Sequence, residues 1–220
     1  MVEWEFNKNY VNLEYNNLRN FLFRRDKMNK ERLAAFTDAV LAIIMTILVL
    51  ELKKPKVVSW VGLWDIRTSF FAYAVSFFWL GLMWSDNHRA FQKIKKVSNA
   101  TVTWTLIMLF FASFFPYSTS LVAANFNNST AQVFYGIDII LVSLSNIGIS
   151  YSLNKVNKYK FKMLFNMSAE LVIADLAIKV IGLILALVVF PPAVMYSIFV
   201  ASAMLVIVNL IESKKKRQEA

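Results

Sequence analysis

The sequence has no cysteine and a single histidine, His88, in 220 residues. Disulfides, thiolate metal sites and cysteine nucleophiles are therefore excluded. A histidine-based metal site or catalytic pair is not expected within one subunit. Glycine is scarce as well, with 5 scattered residues. There is no phosphate-cradling loop, no H-E-x-x-H and no nucleophile elbow. The chain is accordingly read as a non-enzyme with no cofactor and no resident metal. Charge is thin, at 17% of residues, where average soluble domains carry about 25%. The excess of basic over acidic residues gives a net charge of +10, which would invite nucleic acid. Here the basic residues flank apolar runs, so anionic lipid headgroups are the expected partner and nucleic acid is not.

What the chain does have is apolar length. Hydrophobic residues make up 58% of it, against about 45–50% in soluble domains, and they cluster in runs of membrane-spanning size. The pattern predicts an all-α membrane protein with six transmembrane helices. The spans are placed at Leu33 to Leu52, Ile66 to Trp84, Val102 to Ala123, Ala131 to Leu153, Met167 to Phe190 and Ala193 to Ile211. Pro116 falls inside the third span, where a neighbour must satisfy the freed carbonyl. Pro191 and Pro192 break the chain between the last two spans.

Loop charge sets the orientation. Of the 24 Lys and Arg residues, seven precede the first span through Arg32, and four lie in each of 89–96, 155–162 and 214–217. These nineteen share one side, while Lys53, Lys54, Lys56 and Arg67 take the other. By the positive-inside rule both termini are cytoplasmic, and the protein is a multi-pass component of the cell membrane. Residues 1–30 form a cytoplasmic arm with no signal-peptide core. Val11, Tyr15, Leu18 and Leu22 at helical spacing suit an interfacial helix there. Residues 31–212 form the membrane domain and 213–220 a basic tail. Trp60, Trp64, Trp84 and Trp104 fall near span ends, where indole rings favour the interface.

Ionisable residues at membrane depth are costly and point to function or to pairing. Asp138 lies in the fourth span. Asp175 and Lys179 lie in the fifth at i, i+4 spacing, which favours a neutralised structural pair. The first span, RLAAFTDAVLAIIMTILVLEL over residues 32–52, holds Thr46 as its only polar side chain between Asp38 and Glu51. Thr46 shares a face with Ile43 and Leu50, and Ile47 sits at the edge of that face. Periodicity alone does not say what this face meets.

The stretch Arg32-x-x-x-Phe36-Thr37-Asp38, at the mouth of the first span, resembles the R-x-x-x-F-S-D signature of the transmembrane protein 175 family. Those proteins are potassium channels, lysosomal in animals and present in bacteria. The apolar first helix, a Trp84-x-x-x-His88 pair, six spans and basic inner loops add to the likeness. Thr37 stands where the family has serine; both carry a hydroxyl donor and acceptor. The resemblance implies a homotetramer, since the animal proteins carry two six-span repeats and form dimers. It also implies a pore lined by the first helix, with Ile43, Thr46, Ile47 and Leu50 facing the ions and an apolar Ile/Leu constriction. Arg32, Phe36, Thr37 and Asp38, with His88, would form the network that holds this helix.

The sequence lacks a TVGYG filter, so a ring of carbonyls is not expected. Selectivity for potassium would be weak to moderate, and potassium in transit would be the only metal. Two other classes fit the same composition. One is an ion-coupled secondary transporter or proton pathway using Asp138, Asp175 and Lys179. The other is a membrane scaffold without transport.

Overall fold

The computed structural model describes residues 29–158 and 169–218, and among these it is helical with no strand. Residues 1–28 of the predicted 1–30 arm, and residues 159–162 of the basic loop over 155–162, lie outside the described residues. Five helical stretches are long and apolar enough to cross a membrane: Lys30–Leu50, Arg67–Lys93, Asn99–Ala124, Ser129–Asn157 and Glu170–Val188. Ala193–Val208 is a shorter apolar stretch within the last helix. The protein is a multi-pass membrane protein.

Helix α1 (Lys30–Leu50) starts where the Asn29 side chain accepts from Glu31 N at 3.2 Å, a side-chain cap for an otherwise orphaned amide. Leu33, Thr37, Leu41, Ile44 and Leu48 are its buried residues, spaced four, four, three and four apart. That is one face of an α-helix. A short helix that the hydrophobic pattern did not announce follows. This is α2 (Trp60–Asp65), capped by Ser59 Oγ accepting from Gly62 N at 3.0 Å.

Helix α3 (Arg67–Lys93) runs well past Trp84, the predicted end of the second span. Its polar last turns stay helical because they pair along the helix. Asp86 meets Arg89 at i+3, and His88 lies 2.9 Å from Gln92 at i+4. Such pairs support a surface helix.

The third span is broken. Helix α4 (Asn99–Ser113) opens with a reciprocal Ser98–Thr101 capping box, and α5 (Phe115–Ala124) begins after Phe114, with Pro116 in its first turn. Proline has no N–H and its ring clashes with the carbonyl four residues back, here that of Ala112. It therefore starts a helix more readily than it continues one. Ser113 Oγ donates to Phe110 O at 2.6 Å and so satisfies a carbonyl next to the break.

Helix α6 (Ser129–Asn157) ends at Lys158, which takes a left-handed φ of 56°. Asn157 then ties two connections together. Its Oδ1 accepts from Lys95 N and Lys96 N at 3.0 and 2.9 Å, and its Nδ2 donates to Lys96 O at 2.9 Å. Helix α7 (Ala169–Val188) and α8 (Ala193–Gln218) are separated by the turn at Pro191 and Pro192. Residues 213–218, expected as a tail, continue α8.

α1 packs on α3, α4 and α5; α6 packs on α4, α5 and α7; α8 packs on α7 and α3. The core between them is built on stacked rings. Trp79 and Phe115 lie 5.1 Å apart between centroids, and Phe115 and Tyr135 lie 5.5 Å apart. Ser76 Oγ, Thr119 Oγ1 and the Tyr135 hydroxyl join into a buried chain at 2.9 and 2.7 Å, so the buried tyrosine has a polar partner.

Candidate functional site

α1 sits at the edge of the helix bundle. Opposite its buried stripe, Ile43 is 57% exposed and Leu50 is 78% exposed, with Thr46 and Ile47 also uncovered. These four residues occupy positions i, i+3, i+4 and i+7, so they fall on one side of the helix. Alanines 35, 39 and 42 are exposed on the same half, which allows another helix to approach closely. Thr46 Oγ1 donates to Ile43 O at 2.7 Å. Its proton is thus committed to its own helix, and the residue is exposed.

The motif residues near the start of α1 divide. Asp38 Oδ1 accepts from Trp84 Nε1 at 2.8 Å, and its Oδ2 lies 3.7 Å from His88 Nδ1. Trp84 and His88 stack with their centroids 5.4 Å apart. A spacing of four on α3 puts both rings on one face, so one carboxylate of α1 meets two aromatic groups of α3. Thr37 is not part of this cluster. Its hydroxyl is buried and donates to Leu33 O at 2.8 Å, as a mid-helix threonine does when no other partner is near. Arg32 and Phe36 are exposed, and among the described residues Arg32 forms no ion pair with Asp38. The structure therefore brings Asp38 and His88 together, and leaves Arg32, Phe36 and Thr37 outside the contact. In the sequence Trp84 stands out as an interfacial indole and as half of the Trp84-x-x-x-His88 pair. Its role as a donor to Asp38 is a tertiary contact without a sequence signal beyond the Trp84–His88 spacing.

Residues 32–116 match the family described as "Endosomal/lysosomal potassium channel TMEM175". A protein named potassium channel from Chryseobacterium sp. (strain P1-3) is 40% identical over 118 residues, which is 54% of this chain and 62% of the relative. Another named potassium channel, from Streptomyces collinus, is 35% identical over 96 residues, covering 42% of this chain and 47% of the relative. Over residues 32–116 the chain is thus similar to the TMEM175 family. Each match takes in less than two thirds of these relatives' own length. The crystal structure of a lysosomal potassium-selective channel TMEM175 homolog from Chamaesiphon minutus superposes with a TM-score of 0.57 at 24% identity, over 80% of this chain and 96% of that one. That likeness shows a shared fold beyond the matched segment.

The matched segment, residues 32–116, holds most of α1, the Trp84–His88 pair and the break before Pro116. Asp138, Asp175 and Lys179 lie beyond it. Asp138 Oδ2 accepts from Ser118 Oγ at 2.8 Å. Lys179 Nζ donates to Asp175 Oδ2 at 2.6 Å and to Ser143 Oγ at 3.2 Å, and lies 5.2 Å from the Trp79 ring centroid. No hydrogen bond joins these two clusters among the described residues, so the three groups do not form one relay.

Proposed function

We propose that this protein is a subunit of a potassium channel in the cell membrane. Four copies surround a pore lined by α1, in a six-span arrangement with both termini in the cytoplasm. The observation that carries the reading is the uncovered face of α1. Its buried stripe is fully used within the subunit, while Ile43, Thr46, Ile47 and Leu50 are left without partners. The names of the relatives support potassium as the ion. Cyclic symmetry is the usual closure for a homo-oligomer, and it would turn each exposed side chain into a ring.

Such a pore works through hydration. A ring of Ile43 side chains offers no ligand, so an ion passing it sheds part of its water. Potassium loses water at lower cost than sodium, which favours it modestly. A ring too narrow to wet is closed. Thr46 compensates one turn on, because its hydroxyl oxygen accepts a cation while its proton stays bonded to Ile43 O. Asp38, held by Trp84 and His88, fixes the rotation of α1 about its own axis and hence which residues face the axis.

The test is flux in reconstituted liposomes. An imposed potassium gradient alone drives potassium movement, and sodium moves more slowly. Flux that saturates at low rate and requires a second ion would replace the channel with a coupled transporter. Absence of any ion flux from a stable oligomer would leave a scaffold.

A further inference from the structure

Away from α1, and sharing no residue with it, α3, α6, α7 and α8 line a cavity of about 80 Å³. Asp86, Ser143, Asn146, Ser150, Asp175 and Lys179 supply its polar lining, and Trp79 forms one wall. Lys179 is 4% exposed. Its ammonium group is engaged by Asp175 Oδ2, Ser143 Oγ and the Trp79 ring. What is left over are acceptors. Asp175 Oδ1 and Asn146 Oδ1 are buried and have no hydrogen-bond partner. A buried acceptor left unmade is costly in a low-dielectric interior.

Both leftover atoms are acceptors, so the missing partner is a donor. Asp86 is paired with Arg89 and Asp175 with Lys179, so the formal charges cancel, and two unpaired acceptor oxygens disfavour an anion as the occupant. A dehydrated metal ion is also a poor fit. Hard cations want about six or more oxygens, and no cluster of three His, Cys, Asp or Glu residues exists among the described residues. A water needs about 10–15 Å³ on this measure of volume, so there is room for several waters or for one small ammonium ion.

The lining also has a direction. It runs from Trp79 to Asp86 along α3 and from Ser143 to Ser150 along α6. Each of those inward limits lies seven residues from the end of its helix, roughly 10 Å at 1.5 Å per residue. Those ends carry Lys93 and Lys155. At the opposite limit, Trp79 stacks on Phe115 and covers Lys179.

We propose that this cavity binds small hydrogen-bond donors, water or a small ammonium ion, between Asp175 Oδ1 and Asn146 Oδ1, and that it fills from the side of the membrane bearing Lys93 and Lys155. It is a hydrated crevice separate from the α1 face, and it keeps the Lys179–Asp175 pair solvated at membrane depth. It does not depend on the channel reading.

The cysteine-free chain makes any introduced thiol unique, so the test is thiol accessibility in the full-length protein in liposomes. Ile147→Cys lies on the cavity lining, and Ile181→Cys lies on the exposed face of α7 as the lipid-facing control. Applied from the Lys93 side, methanethiosulfonate ethylammonium modifies Ile147→Cys and leaves Ile181→Cys unmodified. The anionic ethylsulfonate reagent is slower, because the unpaired atoms it meets, Asp175 Oδ1 and Asn146 Oδ1, are acceptors. Slowing of the reaction by millimolar methylammonium identifies an ammonium ion as occupant. Modification without slowing identifies water. Ser150→Cys, a one-atom change on the same lining, repeats the test if Ile147→Cys does not fold. Modification no faster than at Ile181→Cys, or without preference for the cationic reagent, overturns the proposal. The readout contains no potassium flux, so its failure and that of the channel reading are separable.

Discussion

Trp84 Nε1 donates to Asp38 Oδ1 at 2.8 Å and thereby joins α1 to α3 near the start of the first span. A second side-chain bond joins the same two helices at the start of α1, where Lys30 Nζ donates to Ile94 O, at the C-cap of α3, at 3.1 Å. Apolar packing along Leu33, Leu41, Ile44 and Leu48 supplies the remaining grip, and packing of that kind tolerates small rotations. The indole bond does not, because it requires one azimuth of Asp38.

Trp84→Phe keeps the ring and its stacking on His88 but removes the donor. A hydrogen bond to a charged group contributes about 1.5–3 kcal/mol when buried. Both side chains here are more than a third exposed, so a loss nearer ~1 kcal/mol is expected. Thermal unfolding of the detergent-solubilised protein should register it. Conduction should become more variable between channels, since the rotation of α1 is less constrained. Unchanged stability and unchanged currents would remove Asp38–Trp84 from the account.

Ile43→Asn places an amide where the narrowest apolar ring is proposed. A wetted ring relaxes the dehydration demand, so the potassium-to-sodium permeability ratio should fall while total flux rises. Bi-ionic measurements on reconstituted protein give that ratio directly. An unaltered ratio means that ions do not pass this residue.

Lys179→Met leaves Asp175 buried beside Trp79 without its cation. Breaking a buried pair from one side costs about 3–5 kcal/mol. The double variant Lys179→Met with Asp175→Leu should recover most of it, because an apolar replacement of both partners is often neutral. Unfolding titrations of the single and double variants check this. If the double variant is no more stable than the single, the pair is not the source of the loss.

Gly148 lies against Trp104 so closely that a Cβ there would sit 2.4 Å from the indole. Gly148→Leu should therefore separate α4 from α6 and destabilise by roughly 1–3 kcal/mol, the usual range for overpacking. Adding Trp104→Ala should relieve part of the loss. Additive losses in the double variant would contradict the contact.

Much of this architecture could be seen in the sequence, because membrane spans announce themselves by apolar length. The starts of α1, α3 and α6 fall within three residues of expectation for that reason. Where polar residues continue a helix, hydropathy is blind. The last turns of α3 through Asp86, His88 and Arg89 look like a loop by composition and hold together by i, i+3 and i, i+4 pairing. α2 was missed because six residues carry too little periodicity. Pro116 was noticed, but not that it begins a separate helix.

The candidate site was legible in a different way. Asp175 and Lys179 are neighbours on one helix, so their pairing follows from spacing. Asp38 finds Trp84 across 46 positions of chain, and only tertiary packing determines that. The motif drew attention to Arg32, Phe36 and Thr37 as well. In the folded subunit Thr37 bonds its own helix, while the other two point away from the bundle.

The break at Phe114 has a mechanical consequence. The third crossing consists of two rods meeting at a seam where the regular ladder is interrupted and Phe114 N turns to Phe111 O at 3.0 Å, so bending there meets less backbone resistance than along an unbroken helix. α1 rests against both rods. A change in their mutual angle would reach α1 as a lever motion, tilting it while Asp38 acts as the fulcrum.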